Sequence, residues 1–216
     1  MRGGTGLART PATPAPALAG FEHVNRYWDG RNQTYAAKIL PGEYYVTTAD
    51  ELVVTVLGSC VAACIRDPHF GIGGMNHFML PVAGELAGCT ATSLSSAARY
   101  GNFAMEHLVN AILKHGGRRD HLEVKLFGGG RILSQMTDVG HRNILFVRDY
   151  VQKEGLRVVA EDLGGPYPRK VLYHPLTGKV WMKKLRSLHN DTVVERERAY
   201  LSRLEREPVA GSVELF

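Results

Sequence analysis

Apolar and polar positions along the chain change their period several times, and each change marks an element. Short apolar or alternating runs at 43–47, 52–57, 61–66 and 72–80 are rich in β-branched and aromatic residues and predict strands. Pro41-Gly42 precedes them as a turn, and Asp67-Pro68 separates the last two. From 93 to 115 the period lengthens. Ala97, Gly101, Ala104, Met105, Leu108, Ile112 and Leu113 fall three and four residues apart, which predicts a helix stopped by Gly116-Gly117. A strand follows at 122–127 and runs into Gly128-Gly129-Gly130. A second helix is expected over 142–154, with Ile144, Val147 and Val151 inward and Gly155 as its stop, and then a strand over 156–162. Residues 169–173 and 179–183 read as a hairpin turned at Pro175-Leu176-Thr177-Gly178.

The two ends differ from this middle. Residues 1–20 hold Ala, Thr, Pro and Gly without periodicity and read as a disordered leader. Residues 21–40 carry Phe21, Tyr27 and Trp28 and are expected to pack on the domain. Residues 21–190 thus form a single domain, and 191–216 a highly charged tail, helical over 191–207 and frayed beyond. Strands and helices do not alternate regularly, which argues against a doubly wound parallel sheet. The expected class is α+β: packed mixed β-sheets, sandwich-like, with helices on the outer faces.

Composition narrows the field without choosing a function. At 216 residues, 44% hydrophobic and 22% charged, the chain resembles an ordinary globular protein able to bury a core. No apolar run nears the roughly 20 residues needed to span a bilayer, and the N-terminus lacks a signal-peptide apolar core. A cytoplasmic protein without membrane insertion is therefore expected. The net charge of +5 is scattered, with small clusters at 114–119 and 183–186. It lacks the dense stripe with interleaved aromatics that nucleic-acid binding calls for. It suits an acidic protein partner or an anionic surface equally. Cys60, Cys64 and Cys89 show no disulfide-scaffold spacing and would be free thiols in a reducing compartment.

The candidate chemistry lies at Cys60 and His77. Thr55-Val-Leu-Gly-Ser-Cys60 delivers a thiol at a turn between two apolar runs, and His77 follows seventeen residues later on a further strand. Adjacent strands can set the two side by side, the minimum apparatus for a thiolate nucleophile. Gly58 and Ser59 are small enough to leave backbone N–H groups free at the turn, where they would lower the thiol pKa and stabilise an oxyanion. The competing reading is a core cysteine and a histidine bonded to a carbonyl; Cys64 and Cys89 keep that reading. A metal site of Cys60, Cys64 and His77 lacks zinc-knuckle spacing and a fourth ligand. No metal or cofactor is expected. Gly128, Gly129 and Gly130 lack the partners of a phosphate-binding loop and read better as a tight strand-to-loop passage.

Thr-Val-Leu-Gly-Ser-Cys-Val at 55–61, His-Phe-Met-Leu-Pro at 77–81, Lys-Leu-Phe-Gly-Gly at 125–129 and Gly-His-Arg-Asn-Ile at 140–144 occur in order, with Gly-Gly at 164–165 and Thr-Gly at 177–178. Together they resemble the CheD family, the chemoreceptor glutamine deamidases of bacterial and archaeal chemotaxis, over roughly residues 40–186. The resemblance implies a cysteine hydrolase related in fold to the catalytic domain of cytotoxic necrotizing factor toxins. It implies Cys60 as nucleophile, His77 as general base and Thr55 as the third residue, with Thr47 and Thr48 as alternatives for that last place. It implies conversion of specific glutamines of methyl-accepting chemotaxis receptors to glutamate through a thioester, and hydrolysis of glutamate methyl esters by the same route. The substrate would be the receptors' cytoplasmic helical region, and the phosphatase CheC would be a partner in some organisms. The alternative is a non-catalytic adaptor that binds chemoreceptors or CheC.

Overall fold

The computed structural model describes residues 13–81, 91–132, 139–186 and 191–206. Among these residues ten strands and three α-helices run in the order β1 (Asn25–Asp29), β2 (Thr34–Lys38), β3 (Tyr44–Thr47), β4 (Glu51–Leu57), β5 (Val61–Asp67), β6 (Ile72–Asn76), α1 (Ala91–Lys114), β7 (Glu123–Gly128), α2 (Val139–Lys153), β8 (Arg157–Leu163), β9 (Arg169–His174), β10 (Lys179–Lys184) and α3 (Asp191–Arg206). They form two five-stranded sheets, ordered β1-β2-β4-β9-β10 and β3-β6-β5-β7-β8. Both are mixed: β2–β4 and β7–β8 pair parallel, and every other pairing is antiparallel. The class is α+β, as the irregular order of predicted elements implied.

One apolar core joins the sheets. Val53, Leu57, Val171 and Tyr173 enter it from the first sheet, and Tyr45, Val61, Ile65, Met75 and Leu126 from the second. Six of the seven residues of β5 are buried, so it has no solvent face, as for a strand covered on both sides. Helix α1 packs on β3, β5 and β6, and α2 on β5 and β8. Their buried residues, Met105, Leu108, Val109 and Ile112 on α1 and Ile144, Val147 and Val151 on α2, repeat at helical spacing.

Several expectations need correction. The segment 21–40 was expected only to pack, yet it forms the hairpin β1–β2. Residues 13–20, read as leader, lie along the body: Arg26 donates to the Ala15 carbonyl, and Ala17 and Leu18 pack on the core. The strand expected over 72–80 ends at Asn76, because the His77 N–H turns to the Glu43 carbonyl and its own carbonyl accepts from Gly42. The charged C-terminal helix forms, but it is no free tail: Val193, Glu197, Tyr200 and Leu201 are buried, with Tyr200 and Leu201 in the common core. Among the described residues no helix is long and apolar enough to cross a membrane. Cys89 lies outside the described residues.

Candidate active site

Residues 58–60 form the crossing from β4 in one sheet to β5 in the other. All three of their carbonyls are held by the body of the protein. Gly130 N–H donates to the Gly58 carbonyl and Gly129 N–H to the Cys60 carbonyl, each at 2.7 Å, and Asn143 Nδ2 donates to the Ser59 carbonyl at 2.8 Å. The glycine at 128 is needed for this approach: its φ is +112°, and a Cβ there would stand 2.1 Å from the Cys60 carbonyl oxygen. The three glycines thus clamp the turn, in keeping with a tight strand-to-loop passage. With the carbonyls fixed, the N–H groups of Gly58, Ser59 and Cys60 face the same side of the turn, a concave anion-binding arrangement.

His77 arrives beside this turn from the end of β6. Phe78 and Val61 exchange backbone hydrogen bonds of 2.9 Å in each direction, which brings the residues next to them, His77 and Cys60, together. His77 Nδ1 lies 2.7 Å from Thr55 Oγ1, and the same hydroxyl lies 2.9 Å from the Ile39 carbonyl. The hydroxyl has a single proton. Giving it to a carbonyl, which can only accept, leaves Nδ1–H to donate to the threonine oxygen. That fixes the neutral tautomer with its lone pair on Nε2. Nε2 is buried and has no hydrogen-bond partner among the described residues. Thr55 belongs to the first sheet and His77 follows the second, so this bond also ties the sheets together. Of the other threonines considered, Thr47 donates to Glu51 and Thr48 is exposed.

The fourth member of the cluster was not foreseen. Glu197, from α3, is 1% exposed. Its Oε1 accepts from Gly58 N–H at 2.8 Å and Cys60 N–H at 3.2 Å. Its Oε2 accepts from Ser59 N–H at 2.8 Å and Ser59 Oγ at 2.6 Å. The expectation that the turn amides stand free to lower the thiol pKa is therefore corrected: a carboxylate occupies them. Burial first, and then the Glu197 charge and hydrogen bonding, push the Cys60 thiol well above its ordinary range. Burial and the nearby Arg196 charge lower His77 to about 3. In this arrangement both groups are neutral at pH 7. Cys60 Sγ, a His77 ring nitrogen and a Glu197 oxygen lie within 4.8 Å of one another, close enough to hold a metal ion. Both Glu197 oxygens are already engaged by four donors, which favours an amide-bound carboxylate over a metal ligand.

Asn143, also missed, is fully buried and links the two halves of the site. Its Oδ1 accepts from Leu80 N–H at 2.9 Å while its Nδ2 holds Ser59. The Gly-His-Arg-Asn-Ile motif contained it, but only burial reveals its part. Glu197 left a fainter signal, an acidic residue in line with Val193, Tyr200, Leu201 and Leu204 on one helical face. Cys64 lies in β5, buried, with its thiol pKa pushed up by burial, as befits a core cysteine.

Comparison with known proteins places this chain in a family. A family model described as CheD chemotactic sensory transduction matches residues 79–184. A protein of Halorhodospira halophila named probable chemoreceptor glutamine deamidase CheD is 57% identical over 205 residues, covering 94% of this chain and 95% of its own. The chain belongs to the CheD family. Proteins with the same name from Hahella chejuensis and Saccharophagus degradans are each 53% identical, covering 96% and 97% of this chain and 98% and 97% of their own. The similarity thus reaches well beyond residues 40–186, and these family relatives span α3 as well as the two sheets.

Proposed function

We propose that this protein is a thiol-dependent protein-glutamine deamidase acting on chemoreceptors, with Cys60 as nucleophile, His77 as general base, Thr55 as the residue that orients His77, and the amides of Gly58, Ser59 and Cys60 as the oxyanion site. The observation that carries the reading is the Thr55–His77 bond, which presents the Nε2 lone pair beside a thiol at a turn whose N–H groups all face one carboxylate. Family membership supports the reaction, since relatives at 53–57% identity bear the name of that activity.

His77 Nε2 takes the Cys60 proton, and the sulfur attacks the carbon of a glutamine side-chain amide. The amide oxygen gains negative charge against the turn N–H groups. Imidazolium His77 returns its proton to the departing nitrogen, so that ammonia leaves and a thioester remains. His77 then accepts a proton from water as it attacks the thioester, and the proton returns to sulfur as the product glutamate is released. A glutamate methyl ester enters the same thioester by losing methanol.

The substrate in this reading is the cytoplasmic helical region of a methyl-accepting receptor, the enzyme works in the cytoplasm, and CheC is a further partner. The two-sheet frame with a Cys–His pair at its crossing is consistent with kinship to cytotoxic necrotizing factor-type hydrolases. Occupied turn amides and a buried thiol suit the second reading, a receptor- or CheC-binding adaptor. Mass spectrometry of a receptor cytoplasmic fragment incubated with the protein separates them. Deamidation adds about one mass unit at particular glutamines as an amide becomes a carboxyl; binding with no mass gain supports the adaptor.

A further inference from the structure

Helix α3 is amphipathic in an unusual way. Its sequence, Asp-Thr-Val-Val-Glu-Arg-Glu-Arg-Ala-Tyr-Leu-Ser-Arg-Leu-Glu-Arg, places Val193, Glu197, Tyr200 and Leu201 on the buried face. An acidic side chain in the middle of an apolar stripe is costly to bury unless its hydrogen bonds are met. A helix needed only for packing would carry leucine at 197. Here four donors meet the carboxylate, and all four come from the turn that bears Cys60. Gly58 is shaped to admit it: a Cβ there would meet the Glu197 oxygens at 2.7 and 2.8 Å, and Ile132 Cδ1 at 2.1 Å. Tyr200 closes the contact one turn further on, its hydroxyl against that of Tyr100 and also against Gly42, where a Cβ would meet the hydroxyl oxygen at 2.8 Å and the ring at 3.1 Å.

A glutamate side chain held by amides beside a thiol has the form of the reaction's product, and it is delivered by a helix. We propose that α3 is the protein's own occupant of its substrate groove: Glu197 stands where the carboxylate of a converted glutamine stands, and a substrate helix reaches Cys60 only by displacing α3. The inference rests on the deamidase reading and adds the mode of substrate docking. The partner it describes is a helix presenting glutamine, with an aliphatic residue four positions before it and large apolar residues three and four positions after, matching Val193, Tyr200 and Leu201. It also explains why Cys60 and His77, although adjacent, are both neutral in the closed arrangement. Departure of α3 removes a negative charge from the thiol and readmits water to the imidazole, which moves both groups toward the reactive state.

Two measurements on the full-length protein test this. First, the rate of Cys60 alkylation by iodoacetamide is compared between wild type and Glu197→Ala, with a thermal melt to confirm that the variant is folded. The expected result is alkylation at least about tenfold faster in the variant, from exposure and a lower thiol pKa, with a lower KM for a receptor fragment. Equal alkylation rates and equal KM in a folded variant overturn the proposal. Second, hydrogen exchange of the wild type, which needs no variant, follows α3 as the receptor fragment is added. Faster exchange across 191–206 on binding is expected; undiminished protection of α3 while glutamines are being converted overturns it. Neither the alkylation rate nor the exchange requires turnover. A protein that frees Cys60 and α3 as described but never adds a mass unit to the receptor therefore refutes the deamidase reading and leaves standing only that a docking helix displaces α3.

Discussion

At the scale of the residue, the site turns on one proton of one hydroxyl. Thr55 gives it to the Ile39 carbonyl and so must accept from His77, which keeps the lone pair on Nε2. Valine at 55 keeps the β-branched shape but cannot accept. Thr55→Val is expected to lower kcat by roughly 10- to 100-fold with little change in KM, a part of what an oriented general base supplies. Thr55→Ser, which retains the hydroxyl, is expected to recover most of the rate. Steady-state kinetics on a receptor fragment would show this, and an active valine variant would remove Thr55 from the machinery. Cys60, His77 and Thr55 were each legible in the sequence, because a thiol after two small residues and a family motif around each point to them. Glu197 was not. Charge-rich sequence reads as solvated surface, and the apolar residues in line with this one acid do not say that it reaches residues 58–60, almost 140 positions away.

Among the elements, the chain at 128–130 and helix α2 hold the turn at 58–60 from behind. Asn143 joins Ser59 to Leu80 with both ends of its amide, so Asn143→Ala leaves a buried carbonyl and a buried N–H unmet. The expected loss is about 2–6 kcal/mol of stability, summing the two unmet groups, together with lower kcat as the turn and His77 drift apart. Chemical denaturation measures the first, and an unchanged midpoint would show that water replaces the side chain without cost. Most strands and all three helices were readable from period and punctuation, since their buried faces repeat at two or at three and four residues. The hairpin β1–β2 was not, because Asn-Arg-Tyr-Trp-Asp and Thr-Tyr-Ala-Ala-Lys show little alternation. Their place is set by pairing, β2 with β4 and β1 with β2, rather than by their own pattern.

For the whole molecule, the site is also the joint between the sheets, so its charge state bears on stability. His77 is held to about 3 by burial and by Arg196, against an ordinary 6.5. The unfolded chain therefore binds a proton below 6.5 that the native protein refuses. Its contribution is complete above that pH and is lost as pH falls toward 3, by up to about 1.4 kcal/mol per pH unit. The buried and half-buried carboxylates Asp67, Glu123 and Asp162 are lowered from 3.8 or 4.5, so their contributions fade only below those values. A decline in unfolding free energy between pH 6.5 and 5 is thus expected to come mainly from His77. It should flatten in His77→Gln, and a wild type equally stable at both pH values would contradict the burial of a neutral imidazole.

The central claim is that glutamine conversion passes through the Cys60 thiol. Its most direct test is site-resolved mass spectrometry of a receptor cytoplasmic fragment treated in parallel with the wild type and with Cys60→Ala. The account predicts a gain of about one mass unit at defined glutamines with the wild type and none above the untreated control with the variant. Equal gains with both proteins would contradict it.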